Sequence, residues 1–119
     1  MHNHKDLDVW KLAIEFAMAI YQITKGFPKH EQYGLVSQLR RASVSIASNI
    51  AEGAARQSRN EFIHFLFCSL GSASEVGTQL EIVKGLGYMQ ESAIAPLLEK
   101  RERISQMLSG LIRKIKSRH

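Results

Sequence analysis

The sequence predicts an all-α fold, an antiparallel up-down-up-down four-helix bundle. Apolar residues recur at helical spacing in four segments, no strand-like alternation lasts more than a few residues, and the breaks between segments are short. A chain of 119 residues is the length of one domain, expected to span 1–119. It can bury roughly two thirds of its unfolded surface and needs no disulfide to fold.

The first segment is expected at about 7–25, with Val9/Trp10, Ala13/Ile14, Ala17, Ile20/Tyr21 and Thr24 on one face and Asp6 as its cap. Gly26-Phe27-Pro28 ends it. The second is expected at about 31–56, on Leu35/Val36, Leu39, Ala42/Ser43, Ile46/Ala47, Ile50 and Ala54. Its many small side chains (Ala42, Ser43, Ala47, Ala51 and Gly53 among them) let another helix approach closely, which places it in the middle of the packing.

The third segment, about 58–84, opens on Ser58-Arg59-Asn60-Glu61, a capping box. Phe62, Leu66, Ser69, Ala73, Val76, Leu80 and Val83 form its stripe, and Gly85 and Gly87 stop it. The fourth runs about 92–117, with Ile94, Leu97, Ile104, Leu108, Leu111 and Ile115 as its seam and Pro96 near the first turn. Connections of about five residues or fewer make consecutive helices antiparallel neighbours.

The charge is unevenly placed. Residues 1–100 hold ten Lys/Arg and ten Asp/Glu, so the net +5 comes from Arg101, Arg103, Arg113, Lys114, Lys116 and Arg118 against Glu102. Cations there either complement the C-terminal dipole of a helix or meet a polyanion. No apolar run approaches the ~18 residues of a membrane span, and the N-terminus has no signal-peptide pattern. The lone Cys68 fits a reducing compartment, so the expected location is cytoplasmic, with no membrane partner.

A second apolar row lies beside the first on two helices: Leu12, Phe16, Ala19 and Ile23 on one, Ile63, Phe67 and Leu70 on the other. Either the core stripe is wide, or these rows meet another copy of the chain. Self-association is the expectation. Arg101 falls on the fourth seam, where a guanidinium must find a carboxylate, reach outward or line a wet cavity.

Chemistry is sparse. Glu61 and His64 have the Glu-x-x-His spacing of di-iron bundles, but that site needs a second such pair and two further glutamates, which the chain lacks. His2 and His4 could hold an adventitious metal and no more. Cys68 sits among apolar neighbours, where a thiol is expected to be buried and inert. No glycine-rich phosphate loop follows a strand. No enzyme activity, cofactor or metal is expected.

The informative polar residues are Arg40, Arg41, Asn49, Glu52 and Arg56 on the second helix and Glu75 and Gln79 on the third. They form either a surface rail of intrahelical pairs or a partly buried network fixing helix register or a subunit interface.

The same residues carry a resemblance. Asp6-Leu7-x-Val9-Trp10, the run from Glu31 through Arg40-Arg41-Ala42, the stretch Ser45-Ile46-x-x-Asn49-Ile50-Ala51-Glu52-Gly53, and Leu86-Gly87-Tyr88 resemble the bacterial proteins encoded in intervening sequences of 23S ribosomal RNA genes. The match covers about residues 6–90; His4 stands where an aromatic is usual, and Ser69 where alanine is. The resemblance implies an up-down bundle assembling as a homopentameric ring. It also implies kinship with accessory proteins of diversity-generating retroelements, thought to bind nucleic acid and a reverse transcriptase.

The expected function is a non-enzymatic homo-oligomer, pentameric on that resemblance, binding RNA or DNA electrostatically. Arg113, Lys114, Lys116 and Arg118 are the expected contacts, with Arg56 and Arg59 at the turn between the second and third helices. The alternative is a scaffold for a protein partner.

Overall fold

The computed structural model describes residues 3–118. Among them are four α-helices: α1 (Asp8–Thr24), α2 (Leu35–Ala54), α3 (Arg59–Leu86) and α4 (Glu91–Lys116). The bundle measures 49 × 23 × 19 Å.

Cross-helix contacts give the direction of each neighbour. The Ser69 hydroxyl donates to the Ile46 carbonyl at 2.8 Å, Ser72 to Ser45 Oγ at 2.9 Å, and Gln79 Nε2 to Gln38 Oε1 at 3.5 Å. Residue numbers rise on α3 as they fall on α2, so the two are antiparallel. Arg101 beside Gly77 and Lys116 beside Phe67 do the same for α3 and α4. The small residues of α2 act as expected. A Cβ on Gly53 would stand 2.9 Å from Phe65 Cβ and 3.1 Å from the Phe62 carbonyl, so α3 crosses α2 almost backbone to backbone.

Several element ends differ from the sequence reading. Asp6 lies in a short 3-10 turn, His4–Asp6, and Leu7 occupies the cap of α1 with no side-chain bond. The expected start of the second helix is a separate 3-10 turn, Lys29–Glu31, because the backbone at Gly34 (φ −109°, ψ −112°) leaves helical geometry before Leu35. Glu31 then reaches forward, and its Oε1 accepts from the Leu35 N–H at 3.2 Å. Gly85 continues α3, and Gly87 at φ 74° ends it in the left-handed conformation that favours glycine. The capping box is half formed: Ser58 Oγ accepts from the Glu61 N–H, but Glu61 accepts from the serine hydroxyl, not its backbone. Pro96 is in the second turn of α4, where it has no N–H to give to the carbonyl of Ser92, a residue on the exposed side of the helix start.

Most of the expected core is buried, but Phe16 requires a correction. It was expected on an outward row and is 0% exposed, one of the largest side chains of the core. Ala13, one turn before it, and Ala17, directly after it, are small and buried, which leaves room for the ring to turn inward. Leu12, Ile23 and Ile63 are half-buried against the same core. Of these expected contact residues only Phe67 is exposed, at 50%. On α4, Ile112 takes the fully buried place expected for Leu111.

Candidate nucleic-acid interface

Because α4 runs antiparallel to α3, its last turns lie at the end of the bundle where α2 hands over to α3. Arg59, Arg113, Lys114, Lys116 and Arg118 are all exposed there. Among the described residues none of the five has a carboxylate within ion-pair distance. Lys116 Nζ sits 5.4 Å over the Phe67 ring, and Arg113 lies back along α4, its Nη2 3.8 Å from where a Gly110 Cβ would stand. Arg113, Lys114 and Lys116 also occupy the last turn of α4, where they complement the helix dipole.

Arg56 is placed differently from the rest of that set. Its guanidinium bonds Glu52 at 2.8 Å and Glu61 at 3.4 Å and lies 4.8 Å over the Phe65 ring. Two carboxylates already answer its charge, so it braces the α2–α3 turn.

The polar set on α2 and α3 divides in two directions. Asn49 Nδ2 donates to the Ser45 carbonyl and hydroxyl, and Ser45 takes the Ser72 hydroxyl across the helix pair. Gln79, 4% exposed, donates to Glu75 at 3.3 Å and to Gln38, while its Oε1 is buried without a partner. These bonds tie α2 to α3. Arg40 turns the other way: its Nε donates to Thr24 Oγ1 at 2.9 Å, and its guanidinium lies 4.6 Å over the Tyr21 ring on α1. Arg41 is exposed and makes no bond or ion pair among the described residues.

Arg101 resolves into a side chain folded over Gly77, whose missing Cβ would lie 3.1 Å from its Nε. One Nη donates to Glu102 at 3.0 Å, and Nε is buried and unpartnered. Glu61, the first half of the Glu-x-x-His spacing, is engaged by Ser58 and Arg56. His64 is exposed, edge-on to Phe65, with its Nε2 3.8 Å from Cys68 Sγ. Cys68 is therefore half-buried beside a histidine, and not sealed among apolar groups as expected. Among the described residues no three His, Cys, Asp or Glu stand close enough to hold a metal ion. No described helix is long and apolar enough to cross a membrane. His2 lies outside the described residues; His4 packs edge-on against Trp10.

The opposite end of the bundle holds groups to which the sequence reading gave no role of their own. The Tyr88 hydroxyl donates to Glu31 Oε2 at 2.7 Å, and His30 Nε2 stands 3.3 Å from that hydroxyl. The Tyr88 bond, then the Leu35 N–H, hold the Glu31 carboxyl below its usual range, and Glu31 in turn raises Tyr88. Lys84 is raised by its bond to Glu91. Tyr33 is 94% exposed on the turn before α2. An aromatic inside the polar run Lys29 to Gly34 cannot serve the core, and that was a readable signal.

No curated protein matches the sequence. Among solved structures it is similar to a protein of unknown function from the S23 ribosomal protein family of Bacteroides thetaiotaomicron. The two share 26% identity and a TM-score of 0.82, over 88% of this chain and 95% of that one. The model of the 23S rRNA-intervening sequence proteins matches residues 5–110, taking in α1 to α3 and most of α4. The chain belongs to the 23S rRNA-intervening sequence protein family.

Proposed function

We propose that this chain is a non-enzymatic bundle that assembles with copies of itself, as a homopentamer, and binds RNA or DNA electrostatically through Arg59, Arg113, Lys114, Lys116 and Arg118. One observation carries the binding: five exposed cations without carboxylate partners gather at one end of a bundle whose first hundred residues are charge-balanced. A solvated basic face of that kind attracts phosphates by counterion release. The ribosomal reference in the family's description makes RNA the first probe.

Assembly is supported by α3, the least amphipathic of the four helices. Its inner stripe is buried, yet Phe67, Ile82 and Leu86 on its other side are about half exposed. A helix apolar on both sides is one that packs on both sides. The number five comes from the family resemblance. A ring multiplies the basic end by its subunit number, so weak contacts can sum to avidity when one polymer reaches several subunits.

The test is fluorescence anisotropy with a short single-stranded RNA at about 0.05 and 0.2 M salt. Binding should be tight at the lower salt and weak at the higher. Removing residues 113–119 should lower affinity and flatten the salt slope. Because that also removes the buried Ile115, the glutamine variant of Arg113, Lys114, Lys116 and Arg118 should show the same loss with helicity and assembly mass unchanged. Equal binding by the full and shortened chains, or no binding by either, would leave a scaffold for a protein partner as the better reading.

A further inference from the structure

We propose a second nucleic-acid contact, at the far end of the bundle, where a cleft between α1 and α2 takes an unpaired nucleotide. Its base would stack on Tyr33 and its phosphate would lie against Arg40 and Arg41. This rests on the nucleic-acid reading and adds to it a site of different chemistry, because no aromatics interleave the basic tail.

The cleft has a volume of about 320 Å³ and is lined by Tyr21, Gln32, Tyr33, Val36, Arg40 and Arg41. Three features of these residues point to such a ligand. First, Arg40 is held in place by neutral groups only: the Thr24 hydroxyl at 2.9 Å, the Tyr21 carbonyl at 3.3 Å and the Tyr21 ring beneath it. Its position is fixed while its charge stays unanswered. Second, Arg41 follows it on α2, exposed and unbonded, and neither arginine has a carboxylate within ion-pair distance among the described residues. Elsewhere in the bundle the comparable Arg56 meets two carboxylates and Arg101 meets one. Third, the Tyr33 ring is the most exposed of the large hydrophobic side chains described and leaves most of its surface free to stack.

An unanswered guanidinium pair beside a free aromatic face suits a group that joins a flat ring to an anion. A nucleotide does this, and in a duplex the base faces are already covered by their neighbours. The cleft therefore selects single strands, through stacking that every base can supply.

The experiment compares a single-stranded RNA decamer with a blunt duplex of the same length, using the full chain. Tyr33 is exposed and Arg41 makes no contact, so substitutions there leave the fold intact; circular dichroism would confirm it. Tyr33→Ala should weaken the single strand about fivefold or more and leave the duplex unchanged. Tyr33→Phe, which keeps the ring, should bind like the parent. Arg41→Gln should weaken the single strand by a similar factor. If Tyr33→Ala and Arg41→Gln stay within twofold of the parent while the glutamine variant of Arg113, Lys114, Lys116 and Arg118, which keeps the buried Ile115, weakens binding, the cleft is not a contact, although the tail is. If Tyr33→Ala weakens duplex and single strand alike, the stacking role is wrong. If the parent binds neither probe, the nucleic-acid reading fails first and takes this site with it.

Discussion

The Tyr88 hydroxyl and the Glu31 carboxylate, 2.7 Å apart, fasten the turn between α3 and α4 to the start of α2. The same carboxylate accepts from the Leu35 N–H, so one side chain both caps a helix and joins two turns. The consequence for pH has two limbs. Glu31 is depressed in the fold, so its stabilisation is present above the ordinary glutamate range and lost as pH falls through the folded value. Tyr88 is raised, so its share is present below the ordinary tyrosine range and lost as pH rises through the folded value. Melting temperature against pH should show both limbs. Tyr88→Phe should lower the plateau and remove the alkaline limb assigned to this pair; an unchanged profile would show that the bond does not matter.

Phe16 and Phe67 should answer differently to substitution. Phe16→Ala opens a cavity in the core and should cost about 3–5 kcal/mol in denaturant unfolding. Phe67→Asp removes a half-exposed ring, so the chain should stay helical while its mass by light scattering falls. A Phe67→Asp protein that keeps the parent's mass would show that α3 uses another part of its outer side.

Gly53→Ala should destabilise by about 1–3 kcal/mol, since the new methyl meets the Phe62 carbonyl, which side-chain rotation cannot clear. The same change at Gly71, where a Cβ meets nothing within 4 Å, should be neutral or stabilising, by up to ~1 kcal/mol. Equal effects would mean that the helices slide apart without cost.

Arg101→Met should be neutral or slightly stabilising. The guanidinium carries a buried, unpartnered Nε over Gly77, and methionine fills the same groove without that desolvation. A loss of more than about 2 kcal/mol would mean that Arg101 has a partner in the assembled protein.

Neutralising the brace at the α2–α3 turn should strengthen RNA binding. Glu52→Gln with Glu61→Gln frees Arg56 and removes two negative charges beside the tail, so affinity should rise and the salt slope steepen. Exposed pairs of this kind contribute about 0–1 kcal/mol, so folding should be little affected. Unchanged affinity would place the RNA away from this end.

The four helices were legible because their inner stripes repeat at helical spacing over many turns. Phe62, Leu66, Ser69, Ala73, Val76, Leu80 and Val83 are all buried. Phe16 was misplaced because periodicity gives the direction of a stripe and not its width; width depends on how small the neighbours are. The division of the polar set was hidden for a related reason. Arg40 and Gln38 are two residues apart, yet one reaches Tyr21 on α1 and the other Gln79 on α3, and only the packing of three helices decides which. The Glu31–Tyr88 bond joins residues 57 apart, a distance no local pattern encodes.

The up-down order also sets the sequence of events in folding. α1 meets α2, α2 meets α3 and α3 meets α4 across short turns, and only the contact of α1 with α4 joins the two ends of the chain. Nearly all loop closure is therefore local, and a chain of this kind folds on the order of microseconds to milliseconds. The α2–α3 hairpin, crossing at Gly53 and tied at Ser69 and Ser45, has the contacts to form first. Docking of α1 and α4 on either side of it is the expected last step, which folding kinetics of Gly53 and Leu108 variants would check. Since the start of α1 and the close of α4 lie at the same end, a peptide joining them, with the chain opened instead at the Lys29–Gly34 turn, should give the same bundle by a different order of assembly.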